Sequence, residues 1–206
     1  IETEFSMKMD ALYDVQVDGT KVKFVLYDTT AGGSVSVPKN PLVKSVTRTT
    51  DSKGRAIYTY TLYDEDKLCG FDVTTENGKM VLTLKSAPIL KEKGSLKGAV
   101  ILLDAGHGGY DSGAVENGRR EKDDNLALTL AVGESLQRNG VDVVYTRTED
   151  VYDSPVRKAG IANESGADYF ISFHRNSSPV DNQYSGVETL LYDENGVKAD
   201  MARAIN

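Results

Sequence analysis

The residues best suited to chemistry are two histidines and one glutamate, and the pattern around them places all three at the ends of predicted elements. His107 follows the apolar run Val100–Leu103 in a glycine-rich turn, and His174 ends the apolar run that starts at Tyr169. Glu121 stands just before a predicted helix. The carboxyl ends of neighbouring parallel strands meet at one edge of a sheet, so we expect the three side chains to lie together.

Two histidines and a carboxylate form the ligand set of a catalytic zinc site that keeps its fourth position open for water. A single histidine in such a position is more often an ordinary polar loop residue. The chain has only two histidines, and both occupy this context. Together they favour a metal centre held by His107, Glu121 and His174.

The elements that would position these residues follow from a change in hydrophobic period near residue 99. From there the pattern alternates between strand and helix, which predicts a parallel or mixed sheet with right-handed crossovers and helices on both faces. The expected elements are strand 100–104, helix 124–139 capped by Asp123 or Asp124, strand 141–146, helix 155–165 after Ser154, strand 169–174, strand 187–192 and a helix from Val197.

Residues 1–92 show a different pattern, with short alternating runs separated by glycine-containing turns. This predicts an all-β, sandwich-like domain, in which Tyr13–Leu26 and Phe71–Leu84 form two similar hairpins. Residues 93–98 read as a linker, so the expected division is 1–92, 93–98 and 99–206. Cys69 is the chain's single cysteine, which excludes an intrachain disulfide and indicates a structural role.

The composition argues against some classes of binding partner. The formal net charge of −7 argues against nucleic acid and anionic membrane surfaces. No apolar run exceeds five residues, so neither a membrane span nor a signal-peptide core is expected in this sequence. The first residue is Ile1, which suggests processing and is compatible with a removed leader. Nothing in the sequence indicates an oligomeric state.

The blocks around the candidate ligands resemble one known family, the zinc-dependent N-acetylmuramoyl-L-alanine amidases of bacterial cell walls (the amidase_3 family). The matching blocks occur in order and are Asp104–Gly109, Asp111–Ala114, Glu121–Lys122, Asn125–Leu126, Thr146–Arg147, Arg157, Ala162–Asn163, Ser172–Asn176 and Gly186–Thr189. Arg175 departs from the family pattern, which usually has a small residue there. This departure concerns how the substrate is recognised and not how the metal is bound.

The resemblance implies a secreted, cell-wall enzyme whose catalytic domain has an α/β fold of the phosphorylase/hydrolase-like kind. Its substrate would be peptidoglycan, and its reaction the cleavage of the amide between N-acetylmuramic acid and the L-alanine of the stem peptide. Carried over from the family, the zinc ligands are His107, Glu121 and His174. Residues 1–92 resemble the AMIN-like β-domain that often precedes such enzymes and holds them at the wall.

The family's catalytic glutamate has no match in this sequence, and the family domain continues past Asn206, so we expect that residue beyond it. Glu188 is the one nearby carboxylate that offers an alternative base. A second reading is therefore a zinc- and wall-binding fragment without turnover. A zinc carboxypeptidase is disfavoured because no glutamate follows His107 at the His-x-x-Glu spacing.

Overall fold

Strands dominate the first part of the chain because apolar and polar residues alternate along it. The computed structural model describes residues 2–6, 12–27, 35, 37–76, 79–88, 95–178, 180, 183, 185–191 and 196–205. The chain divides into two compact units, Ile1–Ala87 with Glu188–Asn206, and Pro88–Val187.

The first unit contains two antiparallel sheets. Its strands are β1 (Glu2–Ser6), β2 (Tyr13–Asp18), β3 (Lys21–Leu26), β4 (Val43–Thr50), β5 (Ala56–Leu62), β6 (Leu68–Glu76) and β7 (Lys79–Ser86), with a 3-10 turn at Glu65–Lys67. The strand orders are β2-β3-β5-β4 and β1-β7-β6. The pairing of β2 with β3 and of β6 with β7 confirms the two predicted hairpins, although Asn77 and Gly78 lie outside the described residues.

One hydrophobic core serves both sheets of this unit. Inward side chains of β3 and β5, such as Phe24 and Tyr60, are fully buried together with Leu82 of β7. The alternate residues of β5 are less buried, as expected where one face of a strand packs on a core. Burial raises the pKa of the Tyr60 hydroxyl to about 12, so this phenol stays neutral. Helix α3 (Gly196–Ile205) belongs to the same unit.

The second unit is built on a parallel sheet. Its elements are β8 (Val100–Ala105), β9 (Val115–Glu116), β10 (Arg119–Arg120), α1 (Glu121–Arg138), β11 (Asp142–Tyr145), α2 (Pro155–Glu164) and β12 (Tyr169–Phe173). β8 is central and pairs in parallel with both β11 and β12. The predicted order of strand, helix, strand, helix, strand is thereby confirmed, with β9 and β10 forming an additional short hairpin.

The two faces of this sheet meet different helices. Ile101 and Leu103 pack with Val132 and Leu136 of α1. The next residue along β8, Asp104, points to the other face, where Lys158 of α2 contacts it. β8 is therefore covered on both faces, which explains why its sequence is an unbroken apolar run.

The start of helix α1 differs from the prediction. Helix α1 begins at Glu121, and its N-cap Arg120 makes no side-chain capping bond; Asp123 and Asp124 lie inside the first turn. The N–H groups of Glu121 and Lys122, which have no acceptor within the helix, donate to the carbonyls of Ala114 and Ser112. The preceding loop therefore replaces a side-chain cap.

The prediction of a strand at 187–192 was also wrong for those residues of the range that the structure describes. Residues 187–191 carry no strand, and Tyr192 lies outside the described residues. Val187 and Leu190 are exposed rather than packed. A strand requires a neighbour for its main-chain groups, and none of the described strands pairs with this segment. None of the described helices is both long and apolar enough to cross a membrane.

The contact between α1 and β11 makes a testable pair of substitutions. A Cβ added at Gly133 would lie 1.9 Å from the Tyr145 hydroxyl, whereas one added at Gly160 of α2 would meet nothing within 4 Å. We expect Gly133→Ala to lower the free energy of unfolding by about 1–3 kcal/mol, because overpacking exceeds the gain in helix propensity. Gly160→Ala should raise it by up to about 1 kcal/mol. Urea denaturation followed by circular dichroism measures both, and equal effects would contradict the close packing at Gly133.

Candidate metal centre

His107 is presented by a tight loop that follows β8. The Gly106 N–H donates to the carbonyl of Phe173 at 3.0 Å, which ties the loop to the end of β12. His107 has a φ of 59°, and its neighbours Gly108 and Gly109 also have positive φ, so the chain reverses sharply here. Nδ1 of His107 lies 2.8 Å from Oδ2 of Asp111. This contact fixes the ring and leaves Nε2 as the nitrogen that faces Glu121.

Glu121 enters the centre as the first residue of α1, and its side chain is only 5% exposed. Its two carboxylate oxygens have separate partners. Oε2 accepts from the Ala114 N–H at 2.9 Å, and Oε1 accepts from the Arg175 N–H at 2.8 Å. Nδ2 of Asn125, one turn along α1, also donates to Oε1, at 3.3 Å. The carboxylate is thus held by main-chain groups from both sides.

His174 completes the group at the end of β12. Its Nδ1 lies 3.2 Å from Oε1 of Glu121, the same distance that separates this oxygen from Nε2 of His107. The two imidazole rings meet edge to face, with centroids 4.9 Å apart. One ligand atom from each of the three side chains lies within 4.8 Å of the others, and no other such group occurs in the part of the chain that the structure describes.

Two glycines leave the space that these side chains occupy. A Cβ at Gly106 would lie 2.5–2.7 Å from atoms of the His174 ring. A Cβ at Gly113 would lie 2.6 Å from both Oε2 of Glu121 and Cδ2 of His107. Any larger residue at either position would have to displace a member of the group.

The electrostatics of the group favour an ionised carboxylate. Burial by itself raises the pKa of Glu121, but the hydrogen bonds from Ala114, Arg175 and Asn125, together with His107, outweigh burial and lower it. The hydrogen bond from His107 likewise lowers the pKa of Asp111. Both carboxylates are therefore charged at neutral pH, as a cation site requires.

A second polar cluster lies beside the centre, on the α2 face of the sheet. Asp104 is buried and accepts hydrogen bonds from Thr146 and Ser172 at 2.6 Å each, while Nζ of Lys158 lies 2.8 Å from its Oδ1. Lys158 also donates to the carbonyl of Ala105 at 2.7 Å. Burial raises the pKa of Asp104, yet the bonds from Lys158, Ser172 and Thr146 more than compensate and lower it.

Two further buried cations hold the His107 loop through its carbonyls. Arg147 donates to Ala105, to Gly106 and to Lys122 of α1, at 3.0, 3.0 and 2.9 Å. The side chain of Lys122 donates to the Gly109 carbonyl at 2.6 Å and pairs with Asp150. Burial lowers the pKa of Arg147 without neutralising it, because arginine is charged throughout the ordinary pH range. The loop is thus fixed by long side chains that come from α1 and from the segment after β11.

An open groove of about 360 Å³ leads away from the two histidines along the α2 face. Aromatic and polar side chains share its lining, which comprises Asp104, His107, Asp111, Tyr152, Asp153, Pro155, Lys158, Ala159, Phe170, Ser172 and His174. At its edge the rings of Tyr110 and Tyr152 lie 4.2 Å apart, and Tyr110 is largely exposed. A ligand of modest size therefore has access to the faces of the histidines.

The structure brings His107, Glu121 and His174 together, as the sequence predicts, and leaves Glu188 out of the group. Glu188 is exposed and belongs to the other unit of the chain. The supporting roles of Lys122, Arg147 and Lys158 were not foreseen. Lys122 and Arg147 stand in two of the blocks that resemble the family, but the sequence does not show what they contact, because their partners lie far away along the chain. Lys158 lies outside those blocks.

Comparison with known proteins agrees with this geometry. The family model described as N-acetylmuramoyl-L-alanine amidase matches residues 101–206, which contain all three members of the group. The chain belongs to this family.

Individual relatives show the same likeness over part of their length. The chain is 39% identical over 113 residues to the uncharacterized protein YqiI of Bacillus subtilis, covering 55% of this chain and 54% of that protein. It is 33% identical over 122 residues to the N-acetylmuramoyl-L-alanine amidase AmiA of Salmonella typhimurium, covering 59% and 41%. The solved catalytic domain of CwlV from Bacillus (Paenibacillus) polymyxa var. colistinus is 38% identical, with a TM-score of 0.41 and coverage of 41% and 49%. The chain spans about half, or less, of the length of these proteins.

A matched pair of glycine substitutions tests the crowding at the centre. Gly113 and Gly118 have φ values of +61° and +77°, but only at Gly113 would a Cβ enter the group; at Gly118 it meets nothing within 4 Å. With added Zn²⁺ as the probe cation, we expect Gly113→Ala to weaken binding by at least about tenfold, because it displaces the carboxylate or the ring. Gly118→Ala bears the same backbone strain and should retain the parent affinity. Competition with a chromophoric chelator measures both, and equal affinities would contradict the geometry.

The buried Asp104–Lys158 pair predicts a pH-dependent difference in stability. Asp104→Asn leaves the Lys158 ammonium buried without its anion and should cost about 3 kcal/mol at pH 7. The pKa of Asp104 is lowered by folding, so its contribution is present above about pH 4 and is lost as the pH falls through the folded-state value. The gap between parent and variant should therefore narrow at pH 3 in urea melts. Asp142→Asn, at an exposed position of β11, is the control; a gap independent of pH would contradict the pairing.

Proposed function

We propose that this protein is a peptidoglycan hydrolase that cleaves the amide between N-acetylmuramic acid and L-alanine with a zinc ion held by His107, Glu121 and His174. The observation that carries the proposal is the convergence of these three side chains at the carboxyl end of a parallel sheet. The family to which the chain belongs supplies the substrate class.

The group fits zinc in donor type, and two of its three ligand-to-ligand distances match a zinc site. Two imidazole nitrogens and one carboxylate oxygen are the ligands of catalytic zinc sites. With metal–ligand distances near 2.0–2.1 Å, tetrahedral ligands lie about 3.3 Å apart. The two distances of 3.2 Å from Oε1 of Glu121 to the imidazole nitrogens agree with this spacing. Bound zinc would lower the pKa of a water ligand and polarise the scissile carbonyl.

The protein's own contribution is to keep the ligands in the required protonation state and orientation. Glu121 is ionised through its main-chain hydrogen bonds, and it needs no rearrangement to act as a ligand. Asp111 accepts from Nδ1 of His107, which selects the tautomer whose Nε2 carries a free lone pair. Arg147 donates hydrogen bonds to the carbonyls of Ala105 and Gly106, the two residues before His107. These bonds fix the main chain from which His107 projects.

The groove supplies a place for the substrate beside this group. Tyr152 and Phe170 offer partly exposed aromatic surface, and Ser172 and Asp153 offer polar groups. Such a mixed lining suits an acetylated sugar, whose ring faces are apolar and whose edges are polar. We assign the sugar portion of the substrate to this groove.

The N-terminal residues receive a supporting role in this proposal. Residues 1–92 form the AMIN-like domain that holds the enzyme at the wall, residues 93–98 link it, and residues 99–206 contribute to the amidase domain. Two antiparallel sheets around one core support the assignment of an all-β domain. The site of action is the cell wall, outside the cytoplasm, because that is where the proposed substrate lies.

The proposal is tested with purified cell wall and the zinc-loaded chain. Hydrolysis of the proposed bond releases stem peptides that begin with L-alanine, so new L-alanine amino termini should appear and should be absent after chelation. The parent should bind about one zinc per chain, and His174→Ala should lose both stoichiometric zinc and release. Arg138→Ala, an exposed substitution near the end of α1, is the control and should match the parent.

Other outcomes decide between the readings. New reducing sugar ends, or termini other than L-alanine, would reject the amidase assignment. Zinc-dependent binding to the wall without release would favour the fragment that binds without turnover. Full metal content in His174→Ala would show that the three residues are not the ligands.

A further inference from the structure

The arginine that follows His174 lies at the edge of the candidate metal centre. Strand β12 ends at Phe173, and the N–H of Arg175 donates to Oε1 of Glu121 at 2.8 Å. The backbone of Arg175 is therefore fixed against one candidate metal ligand and directly follows another. The side chain of Arg175 therefore starts at the edge of the candidate metal centre.

The guanidinium of Arg175 is oriented but accessible. Its Nη1 pairs with Oδ2 of Asp124, which lies one turn after Glu121 on α1, and the side chain remains 48% exposed. α1 covers the face of the sheet opposite the groove, so Arg175 and the groove flank the metal centre on different sides. A substrate that spans the centre would meet the groove with one part and Arg175 with the other.

Arg175 shares its carboxylate partner with a second arginine. Asp124 also accepts from Arg119 at 2.9 Å, so one carboxylate serves two guanidiniums. Arg120 forms its own pair with Asp123 at 2.6 Å. Arg119, Arg120 and Arg175 thus share the carboxylates of Asp123 and Asp124, while the third carboxylate of the first turn, Glu121, belongs to the candidate metal centre. A guanidinium carries five N–H donors, so the pair with Asp124 leaves Arg175 with donors for the carboxylate of a ligand.

We propose that Arg175 is a specificity-determining residue that receives a free carboxylate on the stem peptide. This inference rests on the proposed function, in which the scissile bond joins an uncharged acetylated sugar to a peptide that carries carboxylates. The uncharged part matches the aromatic groove, and the acidic part matches the half-exposed guanidinium of Arg175. A guanidinium binds a carboxylate through paired N–H donors, which lysine cannot do.

The test compares two ligands that differ only in this carboxylate. The zinc-loaded chain is titrated calorimetrically with N-acetylmuramoyl-L-alanyl-D-glutamate whose α-carboxylate is either free or amidated. We expect the parent to bind the free acid about tenfold more tightly than the amide, and the preference to shrink at high salt. Arg175→Ala should bind the two with equal affinity, and Arg175→Lys should retain only part of the preference.

Arg120→Ala is the matched control, because Arg120 belongs to the same cluster, is equally exposed at 48% and pairs with a different aspartate. It should retain the tenfold preference. Zinc content should remain at one per chain in both alanine variants, since the bond from residue 175 to Glu121 comes from the main chain. The inference predicts that neither substitution affects the metal centre, so loss of zinc by either variant would contradict it.

The outcomes separate this inference from the proposed function. Equal binding of both ligands by the parent would overturn the role of Arg175 and leave the amidase assignment intact. A preference that survives Arg175→Ala would likewise show that Arg175 only anchors α1 through Asp124. Failure of the parent to bind either ligand would overturn the proposed function and this inference with it.

Discussion

An ionised carboxylate that is almost fully buried is the constraint on which the second unit depends. Glu121 needs compensation for the water it loses, and two main-chain N–H groups and one amide provide it. These donors come from the loop before α1, from the end of β12 and from α1 itself. Three separate parts of the chain must therefore reach their final positions before the carboxylate is satisfied.

The same logic explains the buried cations around it. Lys122, Arg147 and Lys158 are costly to bury, yet each donates to at least one carbonyl of the segment that carries His107. Lys122 and Lys158 also form ion pairs with Asp150 and Asp104. A glycine-rich loop has few side chains whose packing could stabilise its conformation. Long cationic side chains provide that rigidity from outside while the loop itself stays narrow, and the faces of the histidines stay open.

The sequence predicted the features that depend on local pattern. Apolar runs that end at a histidine marked β8 and β12, and Ser154 before Pro155 marked the start of α2. What it could not predict depends on distant partners. The start of α1 was placed too late because carbonyls of residues 112 and 114, rather than a capping side chain, satisfy its first N–H groups. The pairing of Lys158 with Asp104 joins residues far apart in sequence, and no periodicity reveals it.

The position of the helix start has a consequence for how metal and fold depend on each other. Because Glu121 is the first residue of α1, the loop that caps the helix is also the loop that closes around the ligand group. Gly113 lies against both Glu121 and His107, and Ala114 accepts from the main chain of Glu121 while donating to its side chain. A cation bound by the three ligands would stabilise this capping arrangement. An ordered cap would in turn hold the ligands at the distances that the cation requires. Metal affinity and the stability of the first turn of α1 are thus expected to rise and fall together.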